Sequence, residues 1–410
     1  MPRIKPFQAI RPTADLASKV ASVPYDVVNR EEAASLAEGN PLSFLHVVRP
    51  DIDLPPDTDP YSDQVYATAK ASFERLMNDG VLQRDADDRI FLYRQIMNGM
   101  AQTGLVCCCH VDDYENNLIL KHEKTRKSKE DDRTRHVMTV NINAGPVFLT
   151  YRDSASVDAI VAEECQQAPL YDFTAVDGVQ HTVWIVNRTD ELVTLLSAVP
   201  EFYVADGHHR SASAWRAGQE RRSTNPGHTG NEEYNWFLTV LFPANQLHIL
   251  PYNRIIRDLN GQTAEQILTR LEKVGTVERT DQPSPQQAGS FCVYLGHHQW
   301  YLVTVPHDSI PHDDAIESLD VAILEQRVLQ PIFGIGDVRT DARIDFVGGI
   351  RGTKELEHKV DTGEWACAIS MFPTSIEQLM SVSDAGQIMP PKSTWFEPKL
   401  RSGLLVHSLD

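Results

Sequence analysis

The segment Glu201-Phe202-Tyr203-Val204-Ala205-Asp206-Gly207-His208-His209-Arg210-Ser211 passes from strand-type residues to helix formers with no loop between them. Aromatic and β-branched residues up to Val204 suit a buried strand, Ser211 to Ala217 suit a helix, and Gly218 predicts its stop. The polar residues 206–210 therefore fall at a tight turn and the first turn of the helix. There the backbone amides lack intrahelical partners and the helix dipole is positive, a setting for a phosphate or another anion. Arg210 and the imidazoles of His208 and His209 would add cationic character, and Asp206 would orient a nucleophile or hold Mg²⁺. In the plainer alternative Asp206 is only an N-cap, Gly207 a turn and the histidines a solvated edge. Acid, base, cation and backbone access within five residues favour a site.

Short strand patterns surround this segment. Phe44–Val48, Ile90–Gln95, Gly104–Val111, Pro146–Tyr151, Thr182–Val186 and Trp236–Phe242 read as strands, the second and third joined by the hairpin dipeptide Asn98-Gly99. Tyr66, Ala69, Phe73, Leu76 and Met77 share one helical face, with Gly80 as a stop. Residues 120–137 hold the densest charge in the chain, of mixed sign, which suits either a salt-bridged helix or an arm of the site. Hairpin adjacencies among short strands predict an α+β fold more than a regular doubly wound sheet. A Pro-rich polar stretch at 276–290 predicts a boundary between a domain at 1–275 and a smaller α/β domain at 276–410.

Fifty-seven acidic residues against 38 basic ones leave a formal charge of -19, which opposes binding to nucleic acid or anionic membranes. The six cysteines contain no C-x-x-C pair, so reduced thiols are expected and not a disulfide or zinc framework. No apolar signal core or membrane-length run is present, which predicts a cytoplasmic protein. Walker and Rossmann glycine loops are absent, as is a G-x-S-x-G elbow. The glycine turn Gly348-Gly349-Ile350-Arg351-Gly352 is a second anion candidate, and the tail 389–403, with Lys392 and Arg401, suits a closing strand or a substrate contact. A metal reading would draw on His208 and His209 with His181 or His136.

Ile4-Lys5-Pro6-Phe7-Gln8-Ala9, Val23-Pro24-Tyr25-Asp26-Val27-Val28, Lys121-His122-Glu123-Lys124-Thr125-Arg126, Ala205 to Arg210, Phe346 to Gly352 and Pro391 to Phe396 together resemble the bacterial family catalogued as domain of unknown function 1015. That family is similar to the ParB/sulfiredoxin-like group, which includes free serine kinases that convert L-serine to O-phosphoserine. The resemblance implies a ParB/sulfiredoxin-like mixed-sheet core in which Asp206, Gly207, His208, His209 and Arg210 hold nucleotide phosphates. His209 stands where those kinases carry threonine. It also implies a glutamate base, for which Glu123 is the first candidate and Glu31 and Glu201 remain open, with catalytic roles for Asp206 and His208. An amino-acid carboxylate would need a cation, from Arg126, Arg351, Lys392 or Arg401. The implied reaction uses ATP or ADP with Mg²⁺, the ion held through the phosphates and at Asp206, takes a free amino acid as partner and allows a homodimer. The alternative is a ParB-like nucleotide-binding switch without turnover.

Overall fold

Nine strands of the first half build one mixed sheet: β1 (Ile4–Lys5), β2 (Phe91–Met97), β3 (Met100–His110), β4 (Ile119–Leu120), β5 (Val147–Tyr151), β6 (Tyr171–Thr174), β7 (Gln180–Ile185), β8 (Phe202–Asp206) and β9 (Trp236–Pro243). The computed structural model describes residues 1–410 and divides into two units, 1–247 with 398–410, and 248–397. In the first unit the strands lie in the order β4-β8-β5-β9-β3-β2-β7-β6, with β1 also paired to β3. The β4–β8 and β5–β9 pairs are parallel and the others antiparallel. The fold is therefore α+β with a mixed sheet, as expected.

Local chemistry accounts for much of this. Asn98 and Gly99 both take positive φ, 53° and 80°, as a two-residue hairpin turn between β2 and β3 requires. Cys107, Cys108 and Cys109 are all buried free thiols in β3, so both faces of that strand are covered. Helix α1 (Asp63–Asn78) buries Tyr66, Ala69, Phe73 and Leu76, the predicted face. Helix α2 (Lys127–Val140) packs between α1 and α3 (His208–Thr224). Buried Asp132 of α2 accepts a hydrogen bond from Tyr66 of α1 at 2.8 Å, and Arg216 of α3 pairs with Asp131 at 2.7 Å and Glu130 at 3.4 Å. Much of the charge at 120–137 is thus spent between helices.

Three expectations change. Phe44–Val48 is not a strand: Leu45–Val48 forms one helical turn with Leu45, Val47 and Val48 buried, because so short an apolar run suits a buried turn as well as a strand. Gly218 is not a stop, since α3 continues to Thr224; a Cβ there would lie 2.8 Å from the Tyr234 carbonyl oxygen, so glycine serves close packing. The division falls after Leu247 and not after residue 275, and the tail from Pro398 returns to the first unit. Residues 276–280 are instead an edge strand, whose exposure explains their polar composition.

The second unit is a six-stranded antiparallel sheet of β10 (Tyr252–Ile256), β11 (Thr276–Thr280), β12 (Ser290–Tyr294), β13 (Trp300–Thr304), β14 (Ile344–Gly348) and β15 (Cys367–Met371), in the order β11-β13-β12-β15-β10-β14. Its core gathers Ile255, Tyr294, Trp300, Val347, Leu356 and Trp365. The glycines at 348–349 serve packing here: a Cβ on Gly348 would meet the Trp395 indole at 2.8 Å, and one on Gly349 would meet Pro251 at 2.8 Å. No helix in either unit is long and apolar enough to cross a membrane.

Two measurements follow from this packing. Gly218→Ala should lower stability by about 1–3 kcal/mol, read as an earlier urea midpoint with an unchanged slope, because the methyl group overpacks the Tyr234 carbonyl. Burial, helped by Arg133, lowers the buried His136 imidazole to about 4, and burial, helped by Arg401, lowers His181 to about 3. The unfolded chain takes up these protons near pH 6.5 and the folded chain does not, so stability should fall as pH drops from about 6.5 towards 4. Urea midpoints at neutral and mildly acidic pH check this, and the drop should be smaller in His136→Gln.

Candidate active site

Strand β8 delivers Asp206 to the edge of α3 through a local irregularity. Its pairing with β5 runs Tyr203 to Thr150 and Val204 to Leu149, then skips Ala205 and resumes with Asp206 opposite Phe148. Such a bulge re-aims the side chain that follows it. Gly207 then turns the chain with φ +97°, a left-handed conformation that glycine adopts at little cost. The first intrahelical bond runs from the Ser211 N–H to the Gly207 carbonyl at 2.9 Å, so the amides of His208, His209 and Arg210 form the unfilled first turn.

Asp206 is the electrostatic centre of the turn. One carboxylate oxygen accepts from the Gly207 N–H at 2.9 Å; the other meets the Lys399 ammonium at 3.3 Å and the Arg210 guanidinium at 3.5 Å. Burial alone would raise its pKa, but Lys399 and Arg210 outweigh burial and hold it well below the usual carboxylate range. Arg210 also donates to the Pro146 carbonyl, while its Nε is buried without a partner. Burial would lower the pKa of Arg210, yet Asp26 and Asp206 raise it, so the guanidinium stays charged. Lys399 was not among the predicted site residues. Its lysine-bearing tail was visible in the sequence, but nothing local tied it to a turn 193 residues away.

The charged segment 121–126 docks on the same turn. The Arg126 N–H donates to Nε2 of His209 at 3.1 Å, and Thr125 donates to Glu130. The rings of His122 and His208, 2% and 5% exposed, meet edge to face with centroids 4.5 Å apart. Burial lowers His122 to about 3 and His208 to about 4, and it also lowers His209. The expected cationic histidines are therefore neutral, and the positive charge comes from Arg210, Lys399 and the helix amides. Asp26 lies within electrostatic reach of His209 and Arg210, and Tyr25 within reach of Arg210. Tyr25 and Asp26 thus reach the site although neither was predicted there. A cavity of about 40 Å³ beside it is lined by Tyr25, Arg133, His136, Gly145, Arg210 and Ser402, among others.

The remaining candidates separate cleanly. Glu123, partly buried, offers an oxygen within 4.8 Å of the ring nitrogens of His122 and His208. Glu201 precedes β8, at the end opposite Asp206, about 16 Å away along an extended strand. Glu31 is exposed in the first turn of the Arg30–Ala37 helix. Arg401 does not act as a substrate cation: it is buried, paired with Asp177 and bonded to Nε2 of His181 at 3.2 Å. Arg351 and Lys392 belong to the second unit, where Lys392 donates to the Tyr252 hydroxyl at 3.0 Å. His181 has both ring nitrogens engaged, by the Tyr93 hydroxyl at 2.7 Å and Arg401 at 3.2 Å, and His136 bonds the Val47 carbonyl at 2.8 Å; the residues whose ligand atoms gather with that of His208 are His122 and Glu123. Asp206 does not fit a Mg²⁺ ligand either, because a divalent ion on its carboxylate would sit against Lys399 and Arg210.

The family model described as "Protein of unknown function (DUF1015)" matches residues 4–322, and the chain belongs to that family. No curated protein matches it in sequence. Among solved structures, a conserved hypothetical protein from Pyrococcus furiosus is 13% identical, with 74% of this chain and 95% of that chain covered and a TM-score of 0.35. A free serine kinase in complex with AMP is 12% identical, with 73% and 91% covered and a TM-score of 0.35. SbnI with a C-terminal truncation, from Staphylococcus aureus, is 11% identical, with 74% and 87% covered and a TM-score of 0.39.

Gly207 offers a direct check of the turn. A Cβ at this left-handed position would lie 3.1 Å from the Arg210 guanidinium carbon. Gly207→Ala should cost about 1–2 kcal/mol of stability, measured by urea unfolding, through backbone strain and displacement of Arg210 from Asp206.

Proposed function

We propose that this member of the family transfers a phosphoryl group from ATP, or ADP, to the hydroxyl of a free amino acid, L-serine giving O-phosphoserine. One observation carries the reading: two cations, Lys399 and Arg210, converge on Asp206 at the unfilled first turn of α3. Phosphoryl transfer requires positioning and charge neutralisation more than covalent chemistry. The amides of His208, His209 and Arg210 would cradle the phosphates, with Arg210 and Lys399 spreading their charge. Asp206 orients both cations and contributes no metal ligand. Mg²⁺ would enter on the nucleotide phosphates and neutralise part of their charge. The motif resemblance of residues 206–210 to the free serine kinases supports the choice of substrate class.

In this reading the acceptor hydroxyl attacks the terminal phosphorus, the bond to the leaving nucleotide diphosphate (monophosphate from ADP) breaks, and the hydroxyl proton passes to Glu123. Glu123 is preferred to Glu31 and Glu201 because its segment docks on the turn that would hold the phosphates. Arg126, exposed beside His209, would pair with the amino-acid carboxylate.

Incubation of the protein with ATP, Mg²⁺ and a pool of free amino acids, followed by mass spectrometry, should yield phosphoserine. Absence of any phosphorylated amino acid refutes the kinase, and nucleotide binding without product would favour the switch. Glu123→Gln should lower turnover by about 10²–10⁴-fold with nucleotide affinity nearly unchanged. Arg210→Ala should weaken nucleotide binding by about 2 kcal/mol in a calorimetric titration.

A further inference from the structure

The geometry points to a transition-metal site formed by His122, Glu123 and His208, and we infer that it binds a divalent ion of the zinc class. Each residue offers one ligand atom, and these atoms all lie within 4.8 Å of one another. The sheet creates this proximity. Strands β4 and β8 are parallel neighbours, with Ile119 beside Phe202 and Leu120 beside Tyr203, so the residues just past their ends emerge together. His122 and Glu123 leave β4, and His208 opens α3.

The donor chemistry selects the ion. Two neutral imidazoles and one carboxylate suit zinc, cobalt or nickel, whereas Mg²⁺ and Ca²⁺ favour oxygen ligands. Zinc holds imidazole nitrogen at about 2.0–2.1 Å, so tetrahedral donors stand roughly 3.4 Å apart. The three donors, all within 4.8 Å of one another, would draw together by about 1.4 Å or less on binding. Three protein ligands leave one position open, the pattern of reactive and not purely structural zinc sites.

Two further features fit an ion better than simple ring packing. Nε2 of His208 is buried with no hydrogen-bond partner, a costly arrangement that coordination would relieve. His122 donates to the Val204 carbonyl, the kind of contact that fixes the ring orientation of a metal-ligating histidine. An edge-to-face histidine pair alone would leave the His208 nitrogen unanswered and would not require a carboxylate beside it. This inference does not rest on the kinase reading, but it claims the Glu123 carboxylate which that reading uses as base: with the ion bound, Glu123 would serve as a ligand and not take the hydroxyl proton.

The test uses the full chain without an affinity tag, stripped with a chelator and titrated with Co²⁺ in the absence of nucleotide. Binding of one Co²⁺ per chain should produce a visible absorption band that Zn²⁺ abolishes. His122→Gln and His208→Gln should each weaken binding by more than about 10-fold, with circular dichroism confirming the fold, and Glu123→Gln should weaken it less. If the histidine variants do not fold, Glu123→Gln decides, because its side chain is partly exposed. No saturable binding, or an affinity unchanged in the variants that fold, overturns the site. Lys399→Met should weaken nucleotide binding and leave the Co²⁺ spectrum intact, so the metal site and the kinase reading can fail separately.

Discussion

The negative charge of Asp206 at the junction of β8 and α3 organises this end of the sheet. A partly buried carboxylate would tend to take up a proton, and it stays ionised because Arg210, one helical turn on, and Lys399, 193 residues on, both meet it. The attraction has structural consequences in both directions. It holds Arg210 at the mouth of the helix, and it ties the tail beginning at Pro398 to the first unit. That tail goes on to pair His407–Ser408 with Ile142–Asn143 and to bury Leu404, Leu405 and Val406. Removing the carboxylate would leave two like charges together in a poorly solvated place, so the three groups act as a unit.

Around this unit the chain separates two kinds of chemistry. On one side are cations and unfilled amides, suited to an anion. On the other, the loop after β4 presses His122 against His208 and brings Glu123 alongside. Burial deprives the histidines of charge, which makes them poor phosphate clamps and good ligands. The same physical effect therefore shifts anion binding to Arg210 and Lys399 and frees the imidazoles for another use.

The strand-to-helix turn at 206–210, the hairpin at Asn98-Gly99 and helix α1 were legible in the residues, because each depends on neighbours within a few positions. Gly218 was misread because a glycine within a helix looks the same whether it ends the helix or admits a carbonyl, and only Tyr234 distinguishes the two. Phe44–Val48 was ambiguous for a similar reason: four or five apolar residues have no period that separates a buried turn from a buried strand. The charged run 120–137 was recognised as either ion-paired surface or site arm. It is both, since Glu130 and Asp131 pair with Arg216 while residues 122–126 meet the start of α3.

By itself the sequence determined the α+β character and the membership of the motif at 206–210 in a helix mouth, both of which follow from local propensity. Tertiary structure alone decided which distant groups would share a solvent-poor space. It placed Lys399 rather than Arg401 beside Asp206, set Asp26 near Arg210, and put His122 and not His136 or His181 against His208. Charge, pKa and ligand geometry depend on separations of a few ångströms, and between residues far apart in the chain those separations come from sheet order and packing, which no short stretch of sequence encodes.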